Sequence, residues 1–208
     1  RVISINSNEI QLSNPQTSAD LLLNSGRVFV QKSQLGGGSP MIRGFSTNIL
    51  LITIDGVRLN NAIFRGGNVQ NIISIDPFNI EKTEVILGSG SVIYGSDAIG
   101  GVMNFYSTTP RLSQSLSPNL TSQSIIRYSS ANNEKTAHLD FNLGFQKWGF
   151  HSSISVSDFG DLKMGKYGPK DYLSSYYSES LNGQDMMTPN TTPRIQKFTN
   201  FNQIHLAQ

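Results

Sequence analysis

Cysteine is absent from the 208 residues, which excludes disulfide staples and thiolate metal sites. Charge is sparse: Asp, Glu, Lys and Arg make up 14% of the chain, with 16 basic residues against 14 acidic. So even a balance creates no basic field of the kind nucleic acid requires. No apolar run reaches the length of a transmembrane helix; the longest, Ile49–Ile54, already contains Thr53. No signal-peptide pattern is visible, and Arg1 opens an ordinary β-like run. His138, His151 and His205 stand in separate segments without ligand spacing, so no metal site is expected. Met186-Met187 could meet a soft metal or haem but reads as ordinary loop. Asp55, Asp76 and Asp97 each sit in a Gly- or Pro-containing turn, and no nucleophile–base set accompanies them. Catalysis is therefore not indicated.

What is present centres on Ile80–Pro110, which reads as strand, Gly-rich bend, short helix, Gly-Gly turn and strand. Gly88, Gly95, Gly100 and Gly101 mark backbone that bends sharply or lies close against another surface. A dinucleotide fingerprint begun at Gly88 and Gly90 needs a third glycine where Ile93 stands. A phosphate loop from Gly90 to Gly95 needs Lys where Ser96 stands. Both nucleotide readings fail at defining positions.

Upstream, Val2–Ile5 alternates as an edge strand, and Thr17 with Asp20 forms a capping box for a helix over Ser18–Ser25, closed by Gly26. Arg27–Gln31 reads as a short strand. Gly36–Pro40 reads as a flexible bend leading into Met41-Ile42-Arg43-Gly44-Phe45. Ile49–Ile54 has the unbroken apolar character of a strand buried on both faces. Asp55-Gly56 is a hairpin-turn dipeptide. Asn60–Gln70 is rich in amides and glycine, with Phe64 and Arg65 at its centre; an aromatic and a cation among amides can stack on and hydrogen-bond a ligand.

Ser107–Ser122 has no period and reads as a linker. Beyond it the period becomes two. Ala137, Leu139, Phe141, Leu143 and Phe145 alternate with His138, Asp140, Asn142, Gly144 and Gln146. Phe150, Ile154 and Val156 alternate with His151, Ser153, Ser155 and Ser157, across a tight connection at Lys147–Gly149. Shorter strands are expected at Gln123–Ser130 and within Ile195–Gln208. Alternation over about ten residues suits a transmembrane barrel strand, Trp148 and Phe150 suit an aromatic girdle, and Gly160–Arg194 suits a long external loop. A soluble β-sandwich shows the same period, so a soluble β-rich adhesin or surface-binding module is the rival reading.

Three stretches together decide for the barrel by resemblance: ADLL…G…FVQ, IRGF with IDGVRLNN, and IEKTEVILGSGSVIYGSDAIGGV. They resemble the plug domain of TonB-dependent outer-membrane receptors. The match runs through Ile80-Glu81-Lys82, Glu84-Val85, Gly88, Ser91, Tyr94-Gly95-Ser96, Ala98 and Gly100-Gly101-Val102. Leu87 and Ser89 depart from it, where many members have Arg and Pro. GGGSPMIRGF, DGVRLNNAIFRGG and YGSDAIGGVMNFY look most like Bacteroidetes-type receptors grouped with haem and iron-siderophore uptake.

The resemblance implies an α+β plug over residues 1–110, with a small mixed four-stranded sheet and short helices. A linker at 111–122 and the first, incomplete strands of a barrel at 123–208 would follow. In the family that barrel is 22-stranded with a plugged lumen. It implies active transport across a Gram-negative outer membrane, driven by the TonB–ExbB–ExbD complex through a TonB box expected upstream of Arg1. The cargo would be an iron complex, siderophore or haem, taken as a small molecule or from a haemoprotein, with a surface lipoprotein as a further partner. No resident cofactor, metal or catalysis is implied. Arg43, Phe45, Asn60, Asn61, Phe64, Arg65 and Asn68 would face ligand. Arg43 would also be a plug–barrel lock, with its second arginine missing at Leu87. Asp55, Gly56 and the four glycines of the central stretch would be structural turns. Since a few strands cannot close a barrel and an open lipid-facing edge is not tolerated, the chain is expected to continue.

Overall fold

The computed structural model describes residues 2–32, 35–45, 49–59, 72–181 and 183–208. Strand β1 (Val2–Asn6) runs straight into helix α1 (Ser7–Ser13). Asn6 starts that helix: its side chain accepts from the Glu9 amide at 3.1 Å and its own amide donates to Glu9 Oε2 at 2.9 Å. Asn14, left-handed at φ 41°, ends it. Helix α2 (Ser18–Asn24) carries the expected Thr17–Asp20 capping box, and Gly26 follows at φ 64°. Strands β2 (Phe29–Gln31) and β3 (Ser39–Met41) pair antiparallel. Ser39 and Pro40, expected in a flexible bend, are thus strand residues, with Pro40 opposite Val30.

The principal sheet is built from β1, β4 (Leu50–Ile54), β5 (Val57–Arg58), β6 (Ile80–Leu87) and β7 (Gly101–Ser107). Their order is β1-β6-β7-β4-β5, with β4 and β7 parallel and every other pair antiparallel. The expected four-stranded mixed sheet has a fifth, two-residue strand because Asp55-Gly56 turns the chain tightly enough for Val57 and Arg58 to pair back onto β4. Both turn residues have positive φ, 50° and 80°, as a two-residue hairpin of this type requires. One face of the sheet buries Ile5, Leu50, Ile52, Val85, Met103 and Phe105 against Ile10, Leu21 and Leu22 of the helices. The other buries Leu51 and Val102 with Ala98, partly covered by Tyr94 of α3 (Ser91–Tyr94). Burial on both sides is why β4 has no polar alternation.

The second sheet comprises β8 (Asn119–Ser129), β9 (Glu134–Gly144) and β10 (Gly149–Phe159). The chain then passes through β11 (Leu162–Lys163), the hairpin β12 (Tyr176–Leu181) and β13 (Gln184–Pro189), and β14 (Ile195–Gln196). It returns as β15 (Phe201–Ala207). The order β15-β10-β9-β8 is antiparallel throughout. Strand β8 begins at Asn119, ahead of the Gln123 start read from the sequence. The segment read as a long loop is folded into the β12–β13 hairpin and the β11–β14 pair.

This sheet is inverted relative to a soluble protein. Its polar face is buried: Glu134, Thr136, His138, Asn142, His151, Ser153, Ser155 and Ser157 are all covered by the rest of the chain. Its apolar face is open, with Leu139 50% exposed and Leu206 75% exposed. Along that face the charged residues Lys135 and Asp158 sit opposite each other at one end of the strands. The other end carries Phe150 opposite Leu143, beside the exposed Trp148. Strands β9 and β10, eleven residues each, carry mainly apolar rows outward and polar rows inward and fit a bilayer, not a sandwich core, while β8 turns Ser122 and Ser124 outward together with Leu120, Ile126 and Tyr128.

Candidate functional site: the plug–wall seam and its apical turn

The polar face of the strand wall closes on the mixed sheet along a seam whose contacts come from short helical turns. Asp76 caps the turn Pro77–Asn79: its Oδ1 accepts from the Phe78 amide at 3.0 Å. Its Oδ2 accepts the Ser155 hydroxyl at 2.6 Å. His138 Nδ1 lies 2.7 Å from Ser155 Oγ. His138 also places Nε2 3.1 Å from Asp140 Oδ2 and stacks on Phe78, with ring centroids 4.9 Å apart. Ser155, His138 and two aspartates look superficially like a hydrolytic set. Burial argues against it, because Ser155 is 1% exposed and its hydroxyl donates to Asp76, so its oxygen is not presented to a substrate. The cluster is a cross-tie between sheet and wall. His151 faces Asn79 Oδ1 at 3.3 Å, and Gln203 donates to the Ile73 carbonyl at 3.0 Å.

A second contact lies at the start of the wall. Arg127 donates Nε–H to Glu134 Oε1 at 2.8 Å, and its remaining donors reach Asn14 Oδ1 and the Pro15 carbonyl, both at 2.9 Å. Glu134 also accepts from Gln16. Neither cross-tie follows from sequence, because each joins residues far apart in the chain.

Arg43 and Gly44 form a two-residue turn with φ 52° and 82°, closed by reciprocal backbone bonds between Ile42 and Phe45. Arg43 is exposed and makes no ion pair among the described residues, and Phe45 is 44% exposed. Asn60, Asn61, Phe64, Arg65 and Asn68 lie outside the described residues. Asp55 does more than turn the chain. Its carboxylate accepts from the Ser107 amide and hydroxyl at 2.8 and 2.7 Å, tying the β4–β5 hairpin to the end of β7. Asp97 pairs with Arg58 at 3.1 Å. Among the described residues no three His, Asp or Glu side chains cluster as a metal site.

On the sheet itself Lys82 Nζ lies 2.5 Å from Glu84 Oε1, and the Tyr106 hydroxyl donates to Oε2 at 3.0 Å. The hydrogen bond from Lys82, helped by that from Tyr106, outweighs burial and holds the Glu84 carboxyl below its ordinary range. A lowered folded-state value stabilises the fold above the unfolded glutamate value, about 4.3, and the contribution is lost as pH falls through the lower folded value. Glu84→Gln is therefore expected to lower the urea midpoint slightly at pH 7, with the deficit shrinking as pH falls below the unfolded glutamate value. A deficit independent of pH would sink the assignment. The effect is small because Lys82 is open to solvent.

Residues 1–102 match the TonB-dependent Receptor Plug Domain family. Over 157 residues, 74% of this chain and 21% of the relative, the chain is 34% identical to the vitamin B12 transporter BtuB of Vibrio vulnificus strain YJ016. The copper transporter OprC superposes with a TM-score of 0.66 at 21% identity, over 78% of this chain and 24% of that one. The ferric-catecholate import receptor Fiu of E. coli K12 does so with 0.54 at 25% identity, over 80% and 22%. The chain thus spans about a fifth to a quarter of the length of the relatives it matches. A plug sheet seated on the polar side of an outward-apolar strand wall, joined to these likenesses, identifies the chain as part of a TonB-dependent receptor of the Gram-negative outer membrane, plug and barrel strands together.

Proposed function

We propose that the protein takes up a scarce metal chelate across the outer membrane, with an iron complex, siderophore or haem, as the leading cargo. The carrying observation is the seam: a folded domain covers the polar face of a wall whose other face is apolar, the arrangement a gated pore needs. The named cargoes of the relatives, vitamin B12, copper and ferric catecholate, are all metal-bearing, which supports the class more than any one member. The Bacteroidetes-type motifs favour haem or siderophore within it. Energy would come from TonB–ExbB–ExbD acting on the plug from the periplasm, and a surface lipoprotein would assist capture. Ligand would be met by Arg43 and Phe45 with Asn60, Asn61, Phe64, Arg65 and Asn68. An apolar outer face at the strand centre weighs against the soluble adhesin reading.

Uptake of radiolabelled ferric siderophore, haem and cyanocobalamin by cells carrying the full receptor, with and without TonB, tests this. One cargo should enter only with TonB. The double substitution F64A/R65A should weaken its binding about tenfold or more, the loss of a stacking contact and a charged hydrogen bond. Failure of all three cargoes would overturn the class, and unchanged affinity would overturn the site.

A further inference from the structure

The segment ahead of the Arg127–Glu134 contact is lightly held. Strand β1 lies at the sheet edge, paired to β6 alone. Together β1 and α1 bury only Ile5 and Ile10, and α1 leaves Leu12 87% exposed. Immediately behind, α2 buries Ser18, Ala19, Leu21 and Leu22. The change occurs at Asn14-Pro15-Gln16, where the wall takes hold. Arg127 reaches the Asn14 side chain and the Pro15 carbonyl, packs over the Phe78 ring at 5.1 Å, and pairs with Glu134 at 2.6 Å. Gln16 donates to Glu134 and to Asn132. The Arg127 side chain is 9% exposed and that of Glu134 is fully buried, with Thr136 donating to Glu134 at 2.7 Å. A buried, fully hydrogen-bonded pair of charges resists rearrangement, since separating either partner from it strands a charge.

We propose that Arg127 and Glu134 are positioning residues that clasp the plug at residues 14–16 and set the boundary of its partial detachment. Val2–Ser13 peels from the sheet edge as one unit, and the clasp stops the opening from spreading into α2. Regions with few buried apolar contacts open at a lower free energy than the core, in contiguous units. Here the wall, not the plug's own core, places the limit of that unit. The proposal rests on the plug-in-wall architecture alone, so it stands whether or not the cargo assignment does.

Amide hydrogen exchange on the full receptor in outer-membrane vesicles tests it without any ligand. In the wild type, Val2–Ser13 should exchange as a group at least tenfold faster than Leu21–Ser25. Arg127→Lys, which keeps the charge but loses the forked donors, should bring Leu21–Ser25 into the fast group while β6 and β7 stay slow. Gln16→Met, which leaves the Arg127–Glu134 pair intact, should do the same in part and serves if the first variant fails to assemble. Uniform protection across residues 2–25 in the wild type would overturn the proposal. So would variants in which Leu21–Ser25 keep their wild-type rates.

Discussion

Leu139→Arg is expected to cost about 2–4 kcal/mol of folding free energy in the membrane. Leu139 is the sixth of the eleven residues of β9, midway between the charged end at Lys135 and the far end of the strand. It is flanked across the sheet by Ile154 and Ser124. In a bilayer that position lies near the hydrocarbon centre, where an arginine has neither water nor a partner. On a half-exposed soluble surface the same change stays within about 0.5 kcal/mol. Folding of the full receptor into phospholipid vesicles, followed by urea titration and by the heat-sensitive shift of the folded band on gels, reads the difference. Wild-type behaviour would mean that this face never meets lipid and would return the soluble module to contention.

Gly101→Ala is expected to be the most damaging small substitution in the plug. The residue has φ 154°, which side chains rarely adopt, and an added Cβ would sit 2.8 Å from the Ile86 carbonyl oxygen and 3.1 Å from Ile42 Cδ1. Gly101 is also where β7 meets both neighbours, opposite Leu50 on one side and Leu87 on the other. Backbone strain and overpacking each contribute about 1–3 kcal/mol. Gly88→Ala is the matched control, next to the end of β6 in the same sheet, with φ 126° and open space around it. Hydrogen exchange across β4 and β7 should rise sharply in the first variant and stay at its wild-type rate in the second. Equal effects would show that positive φ, and not the close approach of Ile86, sets the requirement for glycine at position 101.

Local chemistry was legible in this sequence; contacts across the seam were not. Thr17 with Asp20, Asp55-Gly56 and the unbroken run in β4 each carry their instruction within a few residues, and the structure follows them. Helix α1 escaped because its seven residues bury only Ile10, so it has no apolar period; its one signal was the Asn6–Glu9 capping box. The wall's alternation was clear, but a period of two does not say which face is covered. Only the burial of Glu134, His138 and Ser155 with Leu139 and Ile154 left open decides that. Ser155 reads as one of several serines on a polar row until the fold brings Asp76 to it. Arg127 and Glu134 sit on neighbouring strands joined by a short turn, yet nothing local announces that both reach back to Pro15 and Gln16.

The parallel pairing of β4 with β7 has a consequence for the order in which the molecule takes shape. Neighbouring wall strands β8, β9 and β10 are adjacent in the chain and zip as hairpins, and β6 with β7 closes over a short connection. Residues 50–54, by contrast, must wait for residues 101–105, and residues 2–6 for residues 82–86. Long-range pairings of this kind close slowly because the entropy of the intervening loop is lost before any contact rewards it. During secretion the apolar strand Leu50–Ile54 therefore emerges well before the partner that buries it and needs shielding on its way to the membrane.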